Sequence, residues 1–283
     1  MQDETIGFVG LGVMGGGMAA NLAKAGYKVV GVDPSPAAQA AAAEHGIELA
    51  QTPRDAAAAA TRTVVSVVRT EAQTRAVLLG PDGVAAAARE QLDVIVMSTL
   101  DPTAMRQLAA ELKQHGIVAT DATLSGGSTG AAAGTLTIMA AGERAHVERL
   151  WPVFDAMATS IFHVGTEIGT AQAAKLAVQL SFGVSMLGAF EALSLASAYG
   201  VDEDQLMEIL SRSVGDSWVT RNWQRVRGWW EHYVPGEDLD IPLKDMRAML
   251  READERVVWL PVTALSFQRM RHAWAEAPNG AEG

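Results

Sequence analysis

The chain contains no cysteine. Disulfides, zinc–thiolate sites and thiol nucleophiles are therefore excluded. Lysine and arginine together number 22, against 33 aspartates and glutamates, which gives a net charge of −11. Because no basic run occurs, the clustered cations that a nucleic-acid surface requires are missing. A local basic site for a small anion remains compatible with this acidic total.

Metal-ligand spacing is missing as well. The 6 histidines show no such spacing and no H-E-x-x-H occurs, so we expect no metal site. The acidic start, Met1 to Glu4, leads directly into an apolar run, which is not the pattern of a signal peptide. We therefore expect a soluble cytoplasmic protein. The length of 283 residues suggests two domains.

A glycine-rich turn lies near the N-terminus between two apolar runs. Ile6 to Val9 precedes it, and the helix-forming segment Met18 to Lys24 leads on to a second run, Lys28 to Val32. In a G-x-G-x-x-G turn, the first glycine allows the tight bend, the second lets the main chain approach a pyrophosphate and the third lets the helix pack on the strand. A glycine-rich turn without a ligand is the alternative, but the complete strand, turn, helix and strand favour a dinucleotide site. The residues of the predicted turn are Gly10, Leu11, Gly12, Val13, Met14 and Gly15.

Asp33 follows the second of these strands. A carboxylate at this position can accept hydrogen bonds from both ribose hydroxyls of an adenosine. A 2′-phosphate would meet like charge there, and the following residues, Pro34 to Ala37, include no arginine or lysine. The sequence therefore predicts NAD as the cofactor, with NADP less favoured.

Apolar and helical segments alternate up to residue 164, which predicts a doubly wound α/β domain with a parallel sheet over residues 1–164. Three apolar runs are typical of strands buried on both faces: Thr63 to Val68, Val94 to Met97 and Ile117 to Thr120. Ligands of such sheets bind beyond the carboxyl ends of the strands. Val68, Arg69 and Thr99 lie at these positions, as does a loop that we place from Asp121 onward.

That loop contains Ser125, Gly126 and Gly127. Small residues and paired glycines leave main-chain amides accessible, which suits a carboxylate, and Ser125 can add a hydroxyl donor. A polar turn between a strand and a helix accounts for the same composition equally well.

From Gly165 onward the pattern becomes helical. The segment Ile168 to Tyr199 has no proline, and it carries no charge between Lys175 and Glu191. This uncharged stretch is shorter than the roughly 20 residues of a membrane span. We therefore predict a buried central helix that joins the first domain to an all-α second domain, residues 165–283.

Lys175 lies near the start of this apolar helix. A lysine there either extends its stem to water or is held in a partly dry site, where burial lowers the pKa of an amine and prepares it for proton transfer. Gln179 lies four residues on, on the same face, where its amide can orient a substrate oxygen. Hydride transfer to or from an alcohol carbon requires a partner for the hydroxyl proton. The dinucleotide domain upstream therefore favours a catalytic role for Lys175.

Together these motifs resemble the β-hydroxyacid dehydrogenases, the family of 3-hydroxyisobutyrate and L-threonate dehydrogenases. Four family motifs occur in order, at Gly7 to Gly15 (G-F-V-G-L-G-x-M-G), Asp121 to Gly127 (D-x-x-x-S-G-G), Gly169 to Lys175 (G-x-x-x-x-x-K) and Lys244 to Met246 (K-D-M). The resemblance implies a Rossmann domain joined by a long helix to an all-α domain, and assembly as a homodimer or homotetramer. The implied reaction is the reversible NAD-dependent oxidation of a small 3-hydroxy (or 2,3-dihydroxy) carboxylic acid, such as 3-hydroxyisobutyrate or threonate. Neither a nucleic acid nor a membrane is an implied partner.

The resemblance also implies roles for individual residues. Lys175 is the expected general acid/base, and Gln179 is expected to hold a substrate hydroxyl. The segment Ser213 to Trp218 is similar to the S-x-G-x-S-W stretch of the threonate-type branch, which places Trp218 near the substrate. The remaining implied contacts are the substrate carboxylate on Ser125, Gly126 and Gly127, a cofactor site lined by Val68, Arg69 and Thr99, and Lys244 closing over the cofactor.

This chain departs from the family pattern in three ways. The family usually has asparagine where this chain has Gln179, and Thr123-Leu124 replaces the usual Pro-Val. The usual C-terminal tail is also shorter. Because glutamine is one methylene longer than asparagine, we expect a substrate pocket of different depth.

Two other functions are compatible with this architecture. An imine reductase shares it but does not need a lysine acid. A dinucleotide-sensing module that has lost catalysis tends to lose the lysine and to carry basic or disordered extensions. Lys175 is present and no such extension occurs in the sequence, so the dehydrogenase is favoured.

Overall fold

The computed structural model describes residues 4–87, 92–232 and 240–275, and the chain divides into two compact units after Lys175. In the first unit the described residues form an eight-stranded sheet with the strand order β3-β2-β1-β4-β5-β6-β7-β8. The strands are β1 (Thr5–Val9), β2 (Lys28–Val32), β3 (Glu48–Leu49), β4 (Thr63–Ser66), β5 (Asp93–Val96), β6 (Val118–Ser125), β7 (Leu136–Ala141) and β8 (Ala158–Gly165).

Helices connect the strands of the first unit: α1 (Gly15–Lys24), α2 (Pro36–Glu44), α3 (Pro53–Ala59), α4 (Glu71–Leu79), α5 (Pro102–Gln114), α6 (Gly127–Ala133) and α7 (Arg144–Asp155). Where the sequence predicts a helix from Val84 to Glu90, a 3₁₀ turn occupies Val84–Ala87 and the residues after it lie outside the described part of the chain. The described residues that follow the sheet are helical: α8 (Thr170–Ser197), α9 (Glu203–Ser211), α10 (Trp218–Arg221), α11 (Trp223–Glu231), α12 (Asp240–Glu255) and α13 (Pro261–Ala275).

The central strands are buried on both faces, as the apolar runs predict. Successive residues of a strand point to opposite faces of the sheet. Val65 and Ile95 accordingly belong to one hydrophobic cluster, while their neighbours Val64 and Val94 belong to a second. The pairs β1–β2, β1–β4, β4–β5 and β5–β6 are parallel. The predicted doubly wound parallel sheet is therefore confirmed.

One edge of the sheet differs from the prediction. Strand β7 runs antiparallel to β6, with Ser125 opposite Thr137. A parallel crossover needs about a dozen or more residues. The short segment between Ser125 and Leu136, which contains α6, cannot provide one, so the chain returns beside β6 in the opposite direction.

The division between the two units lies inside α8. We predicted a boundary between residues 164 and 165, whereas the compact units divide between Lys175 and Leu176. The difference arises because the start of α8 binds the sheet. The main-chain N–H of Gly169, for example, donates to Oδ2 of Asp121 in β6 at 2.8 Å.

The prediction that α8 is a buried helix is only partly correct. Leu176, Met186 and Ala189 are buried and pack with the other helices of the second unit. Val178 and Leu195, however, are 41% and 66% exposed. The helix is also long and apolar enough, by length and composition alone, to cross a membrane. One face of α8 therefore contributes to the helical core and another remains on the surface of the chain.

Candidate active site

The glycine turn has two glycines that the fold requires and one that it does not. Gly10 has a φ of +96°, and a side chain there would collide with the carbonyl oxygen of Val67. A side chain at Gly15 would collide with the carbonyl oxygen of Gly10. A Cβ at Gly12, in contrast, would meet no heavy atom of the described chain within 4 Å. Gly12 therefore leaves open space at the start of α1, which is the space that an approaching pyrophosphate needs.

The start of α1 suits an anion. Met14, which precedes the helix, provides no side-chain cap, and the first turn contains no acidic residue. The main-chain amides and the helix dipole at such an end favour negative charge. Met18 and Leu22 are fully buried and fix the helix on the sheet. Val13 is 81% exposed and lies on the open side of the turn.

Asp33 is held between the glycine turn and the start of α2. Its Oδ2 accepts a hydrogen bond from the main-chain N–H of Leu11 and its Oδ1 one from Ser35, each at 2.8 Å. The Gln39 side chain donates to the Asp33 carbonyl at 2.7 Å. Because a carboxylate oxygen can accept more than one hydrogen bond, the fixed carboxylate retains capacity for ribose hydroxyls. The residues present fit a dinucleotide with an unmodified ribose.

The strand order brings the other predicted cofactor residues together at the carboxyl ends of the parallel strands. Strand β4 is next to β1 and β5 is next to β4, so the loops after all three lie together. Val68 lies beside Gly10, and its main-chain N–H donates to Oγ of Ser98 at 3.0 Å. Thr99 is half-buried in the same loop as Ser98, while Arg69 is exposed.

Our placement of Asp121 in a loop is wrong. Strand β6 continues to Ser125, and Asp121 is fully buried within it. Burial raises the pKa of Asp121 to about 6, although hydrogen bonds from Gly169, Gln172 and Ala171 act in the opposite direction. Sequence reasoning stops the strand at the acid because an isolated buried carboxylate is unfavourable, and the donors that make it tolerable come from a distant part of the chain.

The end of β6 is an exposed main-chain turn. Ser125 is half-buried, and Gly126 and Gly127 are exposed. Their φ angles are +130° and +63°, which favour glycine. The fold thus explains both glycines by conformation, and the turn leaves its main chain accessible at the end of the strand.

Lys175 is buried, with a relative exposure of 8%. We expected either a side chain extended to water or a partly dry site, and the structure shows the partly dry site. Gly169, which immediately precedes α8, and Ala171 and Gln172 in its first turn contact β6 and the loop after β5. The position of Lys175 along the helix is thereby tied to the sheet.

In the second unit, Gln179 and Lys244 share one partner. The Gln179 Nε2 donates to Oδ2 of Asp245 at 2.9 Å, and the Lys244 Nζ lies 3.2 Å from Oδ1 of the same carboxylate. Asp245 is buried, with 1% exposure. At Gly183, one turn after Gln179, a Cβ would approach Met246 Sδ to 2.9 Å, so α12 packs closely on α8 here. Asp245 thus fixes which end of the Gln179 amide is the donor.

Trp218 belongs to an aromatic cluster at the start of α10. Its ring stacks on Trp229, with centroids 6.0 Å apart, and forms a T-shaped pair with Phe182, with centroids 5.7 Å apart. It remains 42% exposed. Ser217 and Thr220 form a capping box that fixes the turn from which Trp218 projects.

Three buried polar residues near the predicted site were missed by sequence reasoning: Asp121, Gln172 and Asp245. Asp121 and Asp245 each lie within a motif already recognised, which is a signal that sequence reasoning could have used. Gln172 gave no signal, because its importance depends on contacts with residues far away in the sequence.

Comparison with known proteins agrees with this geometry. Residues 5–165 match the family described as the NAD binding domain of 6-phosphogluconate dehydrogenase, and residues 169–282 match the NAD-binding domain of NADP-dependent 3-hydroxyisobutyrate dehydrogenase. The chain is 33% identical to an L-threonate dehydrogenase of Pectobacterium atrosepticum over 94% of this chain and 87% of the relative. This chain belongs to the β-hydroxyacid dehydrogenase family.

Two further members of the β-hydroxyacid dehydrogenase family are similar to it. An NAD-dependent L-serine dehydrogenase of Pseudomonas aeruginosa is 38% identical over 76% of this chain and 72% of the relative. The crystal structure of a 3-hydroxyisobutyrate dehydrogenase from Salmonella typhimurium superposes with a TM-score of 0.86 at 32% identity, covering 98% of this chain and 96% of that one. The predicted family, fold and enzyme class are thus confirmed, as is NAD-linked hydroxyacid oxidoreduction.

The imine reductase alternative finds support only in the fold. An imine reductase from Myxococcus stipitatus has a TM-score of 0.69 at 21% identity, covering 98% of this chain and 96% of that one. At that identity the likeness concerns architecture and not chemistry. The β-hydroxyacid dehydrogenase assignment stands on higher identity to several named dehydrogenases.

Proposed function

We propose that this β-hydroxyacid dehydrogenase oxidises a small 3-hydroxy carboxylic acid, with Lys175 as the general acid/base that exchanges the hydroxyl proton. The observation that carries the proposal is the burial of Lys175 on a helix whose start is anchored to β6, the strand that ends at Ser125. NAD, when bound, supplies the acceptor for the hydride that leaves the carbinol carbon. The neutral amine of Lys175 takes the hydroxyl proton as the carbonyl forms, and the ammonium returns it in the reverse direction.

The proposed cofactor residues lie at the carboxyl ends of the parallel strands. We assign the pyrophosphate to the turn of Gly10, Leu11, Gly12, Val13, Met14 and Gly15. Asp33 would receive the ribose hydroxyls, and Val68, Arg69 and Thr99 would line the site after β4 and β5. Lys244, whose side chain is 42% exposed, would contact the cofactor, as the family resemblance implies.

The substrate residues are assigned by their chemistry. The exposed turn of Ser125, Gly126 and Gly127 would hold the carboxylate through main-chain amides and a hydroxyl. The Gln179 Nε2 donates to Asp245, which turns Oε1 of the amide away from that carboxylate, and a substrate hydroxyl would donate to this Oε1. Trp218 would contact the substrate with its exposed ring surface.

The class of substrate is supported by what the relatives act on. L-threonate, L-serine and 2-(hydroxymethyl)glutarate each carry a hydroxyl on the carbon next but one to the carboxylate carbon, as does 3-hydroxyisobutyrate, and each is named as a substrate of a relative. The proposed site needs these two groups at this spacing. A 3-hydroxy acid is therefore the common substrate class.

A panel of substrates tests this assignment. NADH formation is measured with 3-hydroxyisobutyrate, L-threonate, L-serine and 2-(hydroxymethyl)glutarate. Lactate, which has only a 2-hydroxyl, and the methyl ester of 3-hydroxyisobutyrate serve as matched controls. We expect at least one 3-hydroxy acid to be oxidised. The methyl ester of that acid, prepared in the same way, should lose roughly 10- to 100-fold in kcat/KM because the charged partner of the turn is gone. Equal activity on ester and acid would contradict the carboxylate site.

We also propose that the enzyme is a cytoplasmic homodimer or homotetramer without nucleic-acid or membrane partners. The second unit exposes large apolar side chains near the start of α13, with Trp259 87% and Leu265 61% exposed. Surface of this kind is typical of protein interfaces. We assign the exposed face of α8 to such an interface and not to a bilayer, since Lys175 and Glu191 lie within the helix. The net charge of −11 disfavours nucleic acid.

A further inference from the structure

A buried carboxylate joins the central sheet to the start of α8. The Oδ2 atom of Asp121 accepts hydrogen bonds from the main-chain N–H groups of Gly169 at 2.8 Å and Gln172 at 3.3 Å. Its Oδ1 accepts a third, from the Gln172 side chain, at 2.9 Å. Thr123, two residues along the same face of β6, donates to the carbonyl of Ala171 at 2.9 Å. The start of the helix is thus fixed on the strand.

Gln172 adds a third segment, the loop after β5. Its Oε1 accepts a hydrogen bond from the main-chain N–H of Leu100 at 2.8 Å, and its Nε2 donates to the carbonyl of Ser98 at 3.2 Å as well as to Asp121. The side chain is fully buried. The orientation of the amide is fixed by these partners. The N–H of Leu100 requires the amide oxygen, whereas the Ser98 carbonyl and the Asp121 carboxylate require the amide nitrogen.

Two residues of the proposed site are located by this pair. Lys175 follows Gln172 by three residues and lies about 4.5 Å farther along the same helix. Thr99 lies between Ser98 and Leu100, the two residues that Gln172 binds. We propose that Asp121 and Gln172 are positioning residues: they fix Lys175 relative to the sheet and fix Thr99 within its loop. This assignment rests on the proposed role of Lys175.

The cost of this carboxylate to stability favours a functional role. Because burial raises the pKa of Asp121 to about 6 from 3.8, the native protein binds more protons here than the unfolded chain between these values. This group therefore makes the fold less stable as pH rises through that window, and the cost persists at neutral pH. The charged group from the neighbouring helix is Arg106 of α5, whose guanidinium lies beside Gly169. Asp121 lowers stability but accepts hydrogen bonds from three donors. Such a residue is expected where a functional group must be held in a defined position.

Two substitutions of Gln172 test the proposal. Gln172→Met keeps the volume but removes every hydrogen bond of the amide. Gln172→Glu keeps an acceptor for the N–H of Leu100 but places a second carboxyl group against Asp121. The hydrogen bond between residues 172 and 121 can then form only when the two carboxyls share a proton. Steady-state kinetics at pH 5.5 to 8.5 and NAD binding by tryptophan fluorescence are measured for both, at temperatures where each variant is folded.

The expected results differ between the two variants. For Gln172→Met we expect kcat to fall roughly 10- to 100-fold at all pH values, because a small displacement of the lysine is enough for such a loss. The Kd for NAD should rise about two- to tenfold through loss of the hydrogen bond to Leu100. For Gln172→Glu, the ratio of its kcat to that of the wild type should rise at least about tenfold from the basic to the acidic end of this range.

Thr120→Val is the matched control. Thr120 is the neighbour of Asp121 in β6, is equally buried and points to the other face, where its hydroxyl contacts His146 at 2.9 Å. This variant loses one buried hydrogen bond and should be less stable, with kcat within twofold of the wild type. An equal loss of kcat in Thr120→Val and Gln172→Met would overturn the proposal, as would wild-type kcat in folded Gln172→Met.

The pH ratio supplies an independent outcome. A flat kcat ratio for folded Gln172→Glu would also overturn the proposal, and if that variant does not fold, Gln172→Met against Thr120→Val decides alone. Lys175→Ala separates this proposal from the proposed function. Turnover retained in Lys175→Ala would refute the catalytic lysine. Turnover lost there but retained in Gln172→Met would refute only the positioning pair.

Discussion

At the scale of a single residue, we propose that Asp33 decides between NAD and NADP. Replacing it by serine removes the like charge that a 2′-phosphate would meet, and Pro34→Arg adds a partner for the phosphate. We expect Asp33→Ser/Pro34→Arg to lower the ratio of kcat/KM for NAD to that for NADP by roughly 10- to 100-fold.

Asp33→Ser alone is the matched control for that measurement. It loses the ribose contact without gaining the arginine, so it should weaken NAD without creating a comparable NADP activity. A wild-type enzyme that already prefers NADP would show that the carboxylate does not set the choice.

Residues whose placement depends on nearby sequence could be predicted. The position of Asp33 at the end of β2 and the turn around Gly10 follow from patterns a few residues long, and the structure shows both where expected. Gln172 could not be found in this way, because its partner Leu100 lies 72 residues away along the chain. Asp245 lies within the K-D-M motif, but its contact with Gln179, 66 residues away, could not be predicted from nearby sequence.

The turn between β1 and α1 allows a test with two matched substitutions. Gly15→Ala places a Cβ against the main-chain oxygen of Gly10, so we expect a loss of stability of at least about 1–3 kcal/mol in urea unfolding. Gly12→Ala meets no described atom within 4 Å and should leave stability within about 1 kcal/mol of the wild type.

NAD binding should show the opposite order. The methyl group of Gly12→Ala occupies the space assigned to the pyrophosphate, so its Kd for NAD should rise about tenfold or more, a loss of at least about 1.4 kcal/mol. Wild-type affinity in Gly12→Ala would contradict the placement of the pyrophosphate at this turn.

Elements with strong periodicity were predictable, and those that depend on tertiary contacts were not. The sequence pattern predicts no element at α7 or β8. Pro152 lies inside α7, where proline argues against a helix, and β8 is only partly buried, so it lacks the continuous apolar run of the central strands. Strand β6 extends beyond the predicted end because donors from α8 make the burial of Asp121 tolerable.

At the scale of the whole molecule, the two-part architecture followed from the change of pattern near Gly165. The degree of burial of α8 did not follow, because a helix that is apolar all round does not reveal which faces other helices cover. Leu176 is buried whereas Leu195 is 66% exposed, although both are leucines in the same apolar helical pattern.

The oligomer is tested by molecular mass in solution. If the exposed apolar side chains of the second unit form the interface, the wild type should have two or four times the chain mass of 29.8 kDa in light scattering. Trp259→Ser/Leu265→Ser should shift it toward 29.8 kDa, because both large apolar contacts are lost.

Leu49→Ser, at an exposed leucine of the first unit, is the control and should leave the mass unchanged. A wild-type mass of 29.8 kDa at micromolar concentration would contradict the assembly.

The proposed chemistry of the whole enzyme depends on the buried amine of Lys175, and removal of that amine is the most direct test. For Lys175→Ala, with Lys113→Ala as the exposed control, kcat is measured on the best 3-hydroxy acid and NAD affinity by fluorescence. We expect kcat to fall by about 10² to 10⁴ in Lys175→Ala alone, since the proton loses its acceptor, with the Kd for NAD within about twofold of the wild type. Turnover equal to that of the wild type would contradict Lys175 as the general acid/base.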